Sequence, residues 1–130
     1  MAMWGTGSFE NDDARDWLGQ LDKVAPEALT QIFAGAADGS NYIESPKASV
    51  VVAAAEVVAL SGSSSSGVPA GILNWTADNR AAFTAELKAL AVRALERVRR
   101  NSELKDLWLE ADGLNDWIAA IQELQTRLGE

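Results

Sequence analysis

Residues 50–60 form the longest hydrophobic run of the chain, V-V-V-A-A-A-E-V-V-A-L, and Glu56 is its only charge. The valines would suit a strand, but the Ser45-Pro46 start, the alanines and Gly62 beyond the end favour a helix. The run is too short to span a bilayer. A helix that is apolar almost all round is buried when it belongs to a globular protein. We therefore expect this segment to be the central helix of a bundle.

The spacing of apolar residues predicts further helices on both sides of this segment. They cover approximately residues 12–21, 26–37, 76–100, 103–111 and 114–128. Residues 68–75 are expected to be extended or irregular, and the serine-rich residues 62–67 to form a flexible surface loop. The sequence thus predicts an all-α fold in which residues 1–130 form a single domain. We expect a bundle of five or six helices with a glycine-containing N-terminal turn.

The periodicity also predicts which side chains fill the core. Tyr42 and Ile43 are expected to hold the loop before the central helix against the bundle. The five tryptophans are expected to be mostly core anchors, since each can bury a large apolar area. The predicted core residues are Val51, Ala54, Val58, Leu87, Leu90, Ala94, Ile118 and Ile121.

The N-terminal stretch combines a glycine turn with the start of a helix. Gly5 and Gly7 allow backbone angles that other residues avoid, so the chain can fold back and bury Trp4. Asn11 is a suitable N-cap, because its side chain can accept hydrogen bonds from the free amides of the first helical turn. We regard Trp4, Gly5, Gly7 and Asn11 as candidate structural or interaction residues.

The acidic first turn of this helix allows three interpretations. Asp12, Asp13 and Asp16 place negative charge at the positive end of the helix dipole, which is a structural role. A phosphate cradle is disfavoured, because no strand precedes the Gly-Thr-Gly turn and no basic residue lies within it. Asp12 and Asp16 are one helical turn apart, but the alternating spacing of a calcium loop is missing. We therefore predict a cap, with no metal and no cofactor.

At these residues the chain resembles a known family. The opening W-G-x-G-x-F-x-N-D-x-A-x-D-W-L is similar to that of the bacterial family catalogued as domain of unknown function 4259. Similar segments follow at A-A-A-E-V-V-A-L (residues 53–60), S-E-L-K-D-L-W (102–108) and W-I-A-A-I-Q-E-L-Q-T-R-L (117–128). The resemblance covers nearly the whole chain and includes Glu56. It implies a compact helical domain and carries no activity over.

Composition excludes several classes of function. The chain has neither cysteine nor histidine, so disulfides, thiol nucleophiles and Ser-His-Asp catalysis are absent. Its net charge is −8, and residues 1–75 hold nine acids and three bases. An acidic surface disfavours nucleic acid and anionic membranes, which bind basic proteins. No signal-peptide pattern opens the chain, so we expect a cytoplasmic protein.

Two charged features are candidates for a functional role. Arg93, Arg97, Arg99 and Arg100 could grip a phosphate or carboxylate, but we favour a structural role near the negative end of their helix. Glu56 must be paired, protonated or turned to the surface, because an unpaired buried carboxylate is costly. We expect it to bind the backbone amides of residues 4–8 or, second, Arg93 or Arg97. A catalytic base with a raised pKa is the alternative.

Two functions from different classes remain. The first is a small, acidic, non-catalytic binding or regulatory module whose acidic N-terminal half meets a basic or polar protein partner. The second is a metal- and carboxylate-dependent hydrolase on a helical bundle. Helical pyrophosphohydrolases of this kind use E-x-x-E followed by E-x-x-D. This chain has Glu103-x-x-Asp106 without the upstream half, so we favour the module. The sequence identifies neither the partner nor the oligomeric state.

Overall fold

Seven α-helices and one short 3₁₀ helix make up the computed structural model, which describes residues 12–20, 23, 25–38, 42–59 and 70–129. The prediction of an all-α bundle is confirmed. The number of helices is larger than the predicted five or six. Within the described ranges, no helix has both the length and the apolar character needed to cross a membrane. The helices are α1 (Asp12–Leu18), α2 (Glu27–Ala37), α3 (Ser45–Ala59), α4 (Ala70–Asp78), α5 (Ala85–Arg100), α6 (Glu103–Glu110) and α7 (Leu114–Gly129).

Helix α3 lies at the centre of the bundle, as its composition predicts. Ten of its 15 residues are buried, and it contacts each of the other six α-helices. Alanine and valine dominate it, so neighbouring helices can pack closely against every side. The remaining helices are amphipathic and turn their apolar faces towards α3 or towards one another.

The chain between residues 70 and 84 differs from the sequence prediction in two ways. Residues 70–78 form helix α4 rather than an extended segment, and α5 begins only at Ala85. Asn79 ends α4 by donating its side-chain amide to the carbonyl of Trp75 at 2.8 Å. Thr84 starts α5, because its hydroxyl accepts from the amide of Leu87 at 3.1 Å. The predicted long helix is therefore divided by a capped corner.

The core agrees with most of the predicted residues. Six of the eight are buried, whereas Leu90 and Ile118 are partly buried and pack against the cluster. Trp75 and Trp117 are buried, and Trp17 and Trp108 are partly buried. The tryptophans described by the structure thus anchor the core, with α6 and α1 covering it less completely than α7.

A backbone clamp holds α6 against the start of α3. The amide of Ile43 donates to the carbonyl of Asn101 at 3.3 Å, and the amide of Glu103 donates to the carbonyl of Ile43 at 2.7 Å. The side chain of Glu103 then accepts from the amide of Ser45 at 2.8 Å. These bonds satisfy groups that a helix start leaves unpaired. Ile43 is buried as expected, and the clamp places its neighbour Tyr42 beside α6.

Candidate functional site

Tyr42 lies on the surface beside a row of carboxylates on α6. Its side chain is 49% exposed, and its hydroxyl donates to Oδ2 of Asp106 at 2.5 Å. Glu103, Asp106 and Glu110 are spaced i, i+3 and i+7, which places them on one side of the helix. The pKa of Tyr42 is raised to about 12, chiefly by the Asp106 hydrogen bond, then by partial desolvation and by these three negative charges. All three carboxylates therefore raise the pKa of the same exposed hydroxyl.

The turn from α6 to α7 is held in a fixed shape. Asp112 has a φ of 65°, a left-handed conformation that few residues other than glycine adopt, Asn and Asp among them. The amide of Gly113 donates to the carbonyl of Trp108 at 3.0 Å. A Cβ atom on Gly113 would lie 2.7 Å from Cε3 of Trp108, so glycine is required for the close approach. The indole and the left-handed residue together fix the turn.

This turn forms one wall of an open cavity of about 350 Å³. Its apolar side includes Leu109, which is 57% exposed, and Leu114. Its polar lining residues include Asp112 and Asp116. The full lining is Leu109, Asp112, Gly113, Leu114, Asn115 and Asp116.

The carboxylates and the exposed apolar residues of this region form one candidate site, which we call the acidic face. Within the part of the chain that the structure describes, none of its carboxylates forms an ion pair with a basic side chain. The site is therefore a negative surface without ion pairs and with an apolar component, in which Glu103, Asp106 and Asp116 lie in the first turns of their helices. The acidic face consists of Tyr42, Glu103, Asp106, Leu109, Glu110, Asp112 and Asp116.

The arginine cluster of α5 differs from the acidic face, because three of its four arginines form contacts with other residues of the protein. Glu96 binds both Arg99 and Arg100, and its pKa is lowered to about 2, chiefly by the hydrogen bond from Arg99. Arg97 donates from Nε to the carbonyl of Ala36 at 3.4 Å, whereas Arg93 is exposed. These contacts support the structural role that we favoured for the cluster.

Glu56 is held by an arginine that the sequence analysis did not consider. Nη1 of Arg127 lies 2.6 Å from Oε2 of Glu56, and Nη2 lies 2.8 Å from Oε1. The side chain of Glu56 is 15% exposed and that of Arg127 is 29% exposed. The pair joins α3 to α7. Oε1 of Glu123 lies 2.7 Å from Nε of Arg127. The hydrogen bonds to Glu56 raise the pKa of Arg127. One sequence signal could have identified it, since Arg127 is the only basic residue of α7.

The structure places the other predicted site residues apart from this pair. Asp16 is exposed on α1. Glu103 and Asp106, which match half of the hydrolase motif, form other contacts. Glu103 accepts from the amide of Ser45, and Asp106 accepts from the hydroxyl of Tyr42. Among the described residues, no three acidic side chains lie close enough to hold a metal ion. The side chain of Asp12, residues 4–8 and 62–67, and Asn11 lie outside what the structure describes.

Comparisons with known proteins give one match. A family model described as "Domain of unknown function (DUF4259)" matches residues 2–120. Neither the comparison with curated proteins nor that with solved structures found a match. The matched residues include the whole acidic face and Glu56, and they end seven positions before Arg127.

Proposed function

The chain belongs to the DUF4259 family, and we propose that it is a non-catalytic protein-binding module whose acidic face receives a basic partner. The observation that carries the proposal is a set of five carboxylates that have no ion pair within the described chain. Three of them act on the exposed Tyr42, and the other two line a cavity together with the exposed Leu109. Elsewhere Glu56, Glu96 and Glu123 are paired with arginine, whereas the exposed Glu27, Asp78 and Glu86 have no ion pair among the described residues.

Physical chemistry favours a basic occupant for such a surface. Like charges on one side of a helix repel one another, and a cationic partner removes that repulsion while it gains complementary contacts. The field of clustered carboxylates also increases the rate at which a basic protein associates. Tyrosine is enriched in interfaces, because one ring supplies both apolar area and a hydrogen bond. Tyr42 is placed to serve in this way.

The alternative hydrolase receives less support from the same residues. A catalytic acidic pair must be able to bind a metal or a water molecule. Glu103 and Asp106 instead bind Ser45 and Tyr42 through the contacts that position α6 and the tyrosine ring. We therefore assign them to structure and binding.

The proposal extends to partners and location. Nucleic acid and anionic membranes are unsuitable ligands for a protein with a net charge of −8. A cysteine-free chain does not need an oxidising compartment to fold, which supports a cytoplasmic location. The expected partner is a protein with a basic binding segment.

Affinity capture with matched variants tests the proposed function. The immobilised chain is exposed to a lysate of the source organism, and bound proteins are quantified by mass spectrometry. The test variant is Asp106→Asn/Glu110→Gln/Asp112→Asn, which keeps Glu103 because that residue holds the start of α3. The control is Glu27→Gln/Asp78→Asn/Glu86→Gln, which removes the same charge from exposed positions elsewhere.

We expect a partner that binds the parent and the control and is lost from the test variant. Its binding should weaken with added salt, because exposed charges are screened. The proposal would be wrong if every captured protein bound the test variant and the control equally well. Circular dichroism and thermal unfolding of both variants verify that the fold is intact.

A further inference from the structure

We infer that the cavity beside the α6–α7 turn is an anchor pocket for an arginine side chain of the partner. This inference rests on the proposed function and adds the chemistry of one contact to it. The cavity measures about 350 Å³, which is at the lower end of the range for ligand pockets. Such a volume suits a single long side chain rather than a whole helix.

The walls of the cavity match the two parts of a long cationic side chain. Lysine and arginine carry an apolar stem and a charged head, and they tend to bury the stem while the head stays solvated. Leu109 and Leu114 supply an apolar wall, and Asp112 and Asp116 supply negative charge. Leu109 is 57% exposed, so the stem would cover apolar surface that now faces water.

Arginine fits the carboxylate pair better than lysine does. A guanidinium has five N–H donors in a planar fork, so it can bind two carboxylates at once, whereas an ammonium is a compact point charge. Asp112 and Asp116 line the same cavity, and neither forms an ion pair within the described ranges. Both residues of the pair therefore lack a cationic partner among the described residues.

The pocket is formed before any partner binds. Asp112 is fixed in a left-handed conformation, and Gly113 packs directly against the Trp108 ring. Asp116 lies in the first turn of α7, a helix anchored by the buried Trp117 and Ile121. Preformed sites lose less entropy when they bind a ligand.

Binding of labelled peptides tests the inference. The probe is a fluorescent glycine-serine peptide that carries several arginines, and its affinity is measured by anisotropy at low salt. The same peptide with lysine, and with citrulline, provides the comparison, because citrulline keeps the shape of arginine without its charge. We expect the affinity to decrease from arginine to lysine and to be lost with citrulline.

Two variants examine the pocket directly. Asp112→Asn/Asp116→Asn keeps the turn, because asparagine also tolerates a left-handed backbone. Leu109→Ala removes an exposed side chain and should leave stability nearly unchanged. The double variant should weaken the arginine peptide about tenfold or more, as expected for lost charge-assisted hydrogen bonds. Leu109→Ala should weaken the arginine and lysine peptides alike, since both have an apolar stem.

The outcomes separate this inference from the proposed function. If the arginine peptide binds and is weakened by Asp106→Asn/Glu110→Gln but not by the pocket variants, the anchor pocket is refuted and the acidic face stands. If the lysine peptide binds as tightly as the arginine peptide, the assignment to arginine is wrong. If the charge-matched control Glu27→Gln/Glu86→Gln reduces binding as much as Asp112→Asn/Asp116→Asn, attraction is by net charge alone and both proposals fail.

Discussion

Arg127 binds Glu56 through both of its terminal nitrogens, at 2.6 and 2.8 Å, and thereby joins the last helix to the most buried one. A carboxylate on a helix surrounded by apolar side chains must have such a partner. The pair is partly buried, so solvent screens it less than a surface ion pair. Its position explains how an otherwise apolar helix tolerates a charge.

Removal of either member of this pair should destabilise the fold. Glu56→Ala and Arg127→Ala should each lower the free energy of unfolding by about 1–3 kcal/mol, since each removes two charge-assisted hydrogen bonds from a partly buried position. Glu56→Gln should cost less, because its amide oxygen can still accept one hydrogen bond. Urea denaturation of the single variants and the double variant gives the coupling energy.

Glu123 provides the matched control for that cycle. It also approaches Arg127, but its side chain is 61% exposed, so Glu123→Ala should cost under about 1 kcal/mol, as for exposed pairs. A loss as large as that of Glu56→Ala would mean that burial does not set the strength of these contacts.

Gly113 should not tolerate a side chain. Gly113→Ala would place a Cβ atom 2.7 Å from the Trp108 ring, and overpacking of this kind costs about 1–3 kcal/mol. Gly35 in α2 is the control, because outside its own helix the nearest atom to an added Cβ is Nζ of the Lys47 side chain at 3.9 Å. Gly35→Ala should stabilise the protein by about 0.5–1 kcal/mol through helix propensity. Thermal unfolding of both variants should show shifts of opposite sign.

The single tyrosine permits a direct measurement at the acidic face. Tyr42 should ionise near pH 12 rather than near 10, and ultraviolet absorbance follows the tyrosinate without interference from another tyrosine. Since the folded pKa is raised, the contact favours folding below pH 10, and its contribution is lost as the pH rises towards 12. Asp106→Asn should lower the pKa. A pKa near 10 in the parent would show that the hydrogen bond does not form.

Glu96 should affect stability in the opposite pH range. Its pKa is lowered from 4.5 to about 2, chiefly by Arg99, so its contribution is present above pH 4.5 and is lost as the pH falls towards 2. Glu96→Gln should therefore be less stable than the parent at neutral pH. The difference should disappear between pH 4.5 and 2 in urea denaturation. A difference that persists at pH 2 would assign the effect to packing.

Local patterns in the sequence predicted most of the fold. The apolar run at residues 50–60 and the periodicity near the C-terminus identified α3 and α7, because each pattern lies within one helix. Helix α4 was not predicted, because Gly67, Pro69 and Gly71 are residues that usually interrupt a helix. The break before α5 was missed because Asn79 and Thr84 are capping residues that also occur inside helices.

The candidate site was less accessible to the same reasoning. Tyr42 and Asp106 are 64 positions apart, and Glu56 and Arg127 are 71 apart, so no local pattern joins them. The spacing of Glu103 and Asp106 matches half of a catalytic motif, and spacing alone does not reveal that Ser45 and Tyr42 bind these side chains. The sequence analysis placed the acidic binding surface in the N-terminal half, part of which lies outside the described residues. The acidic face that we propose consists instead of residues of α6, Asp112, Asp116 and Tyr42.

A backbone amide chemical-shift titration tests the central claim, that the acidic face is the binding surface, most directly. The isotope-labelled chain is titrated with the arginine peptide, and shifts are compared with those caused by the citrulline peptide. We predict saturable changes confined to Tyr42 and residues 103–116, with exposed acids such as Glu27 and Glu86 unaffected. Shifts spread over the acids of α2 and α5, or no saturable shift at α6, would contradict the account.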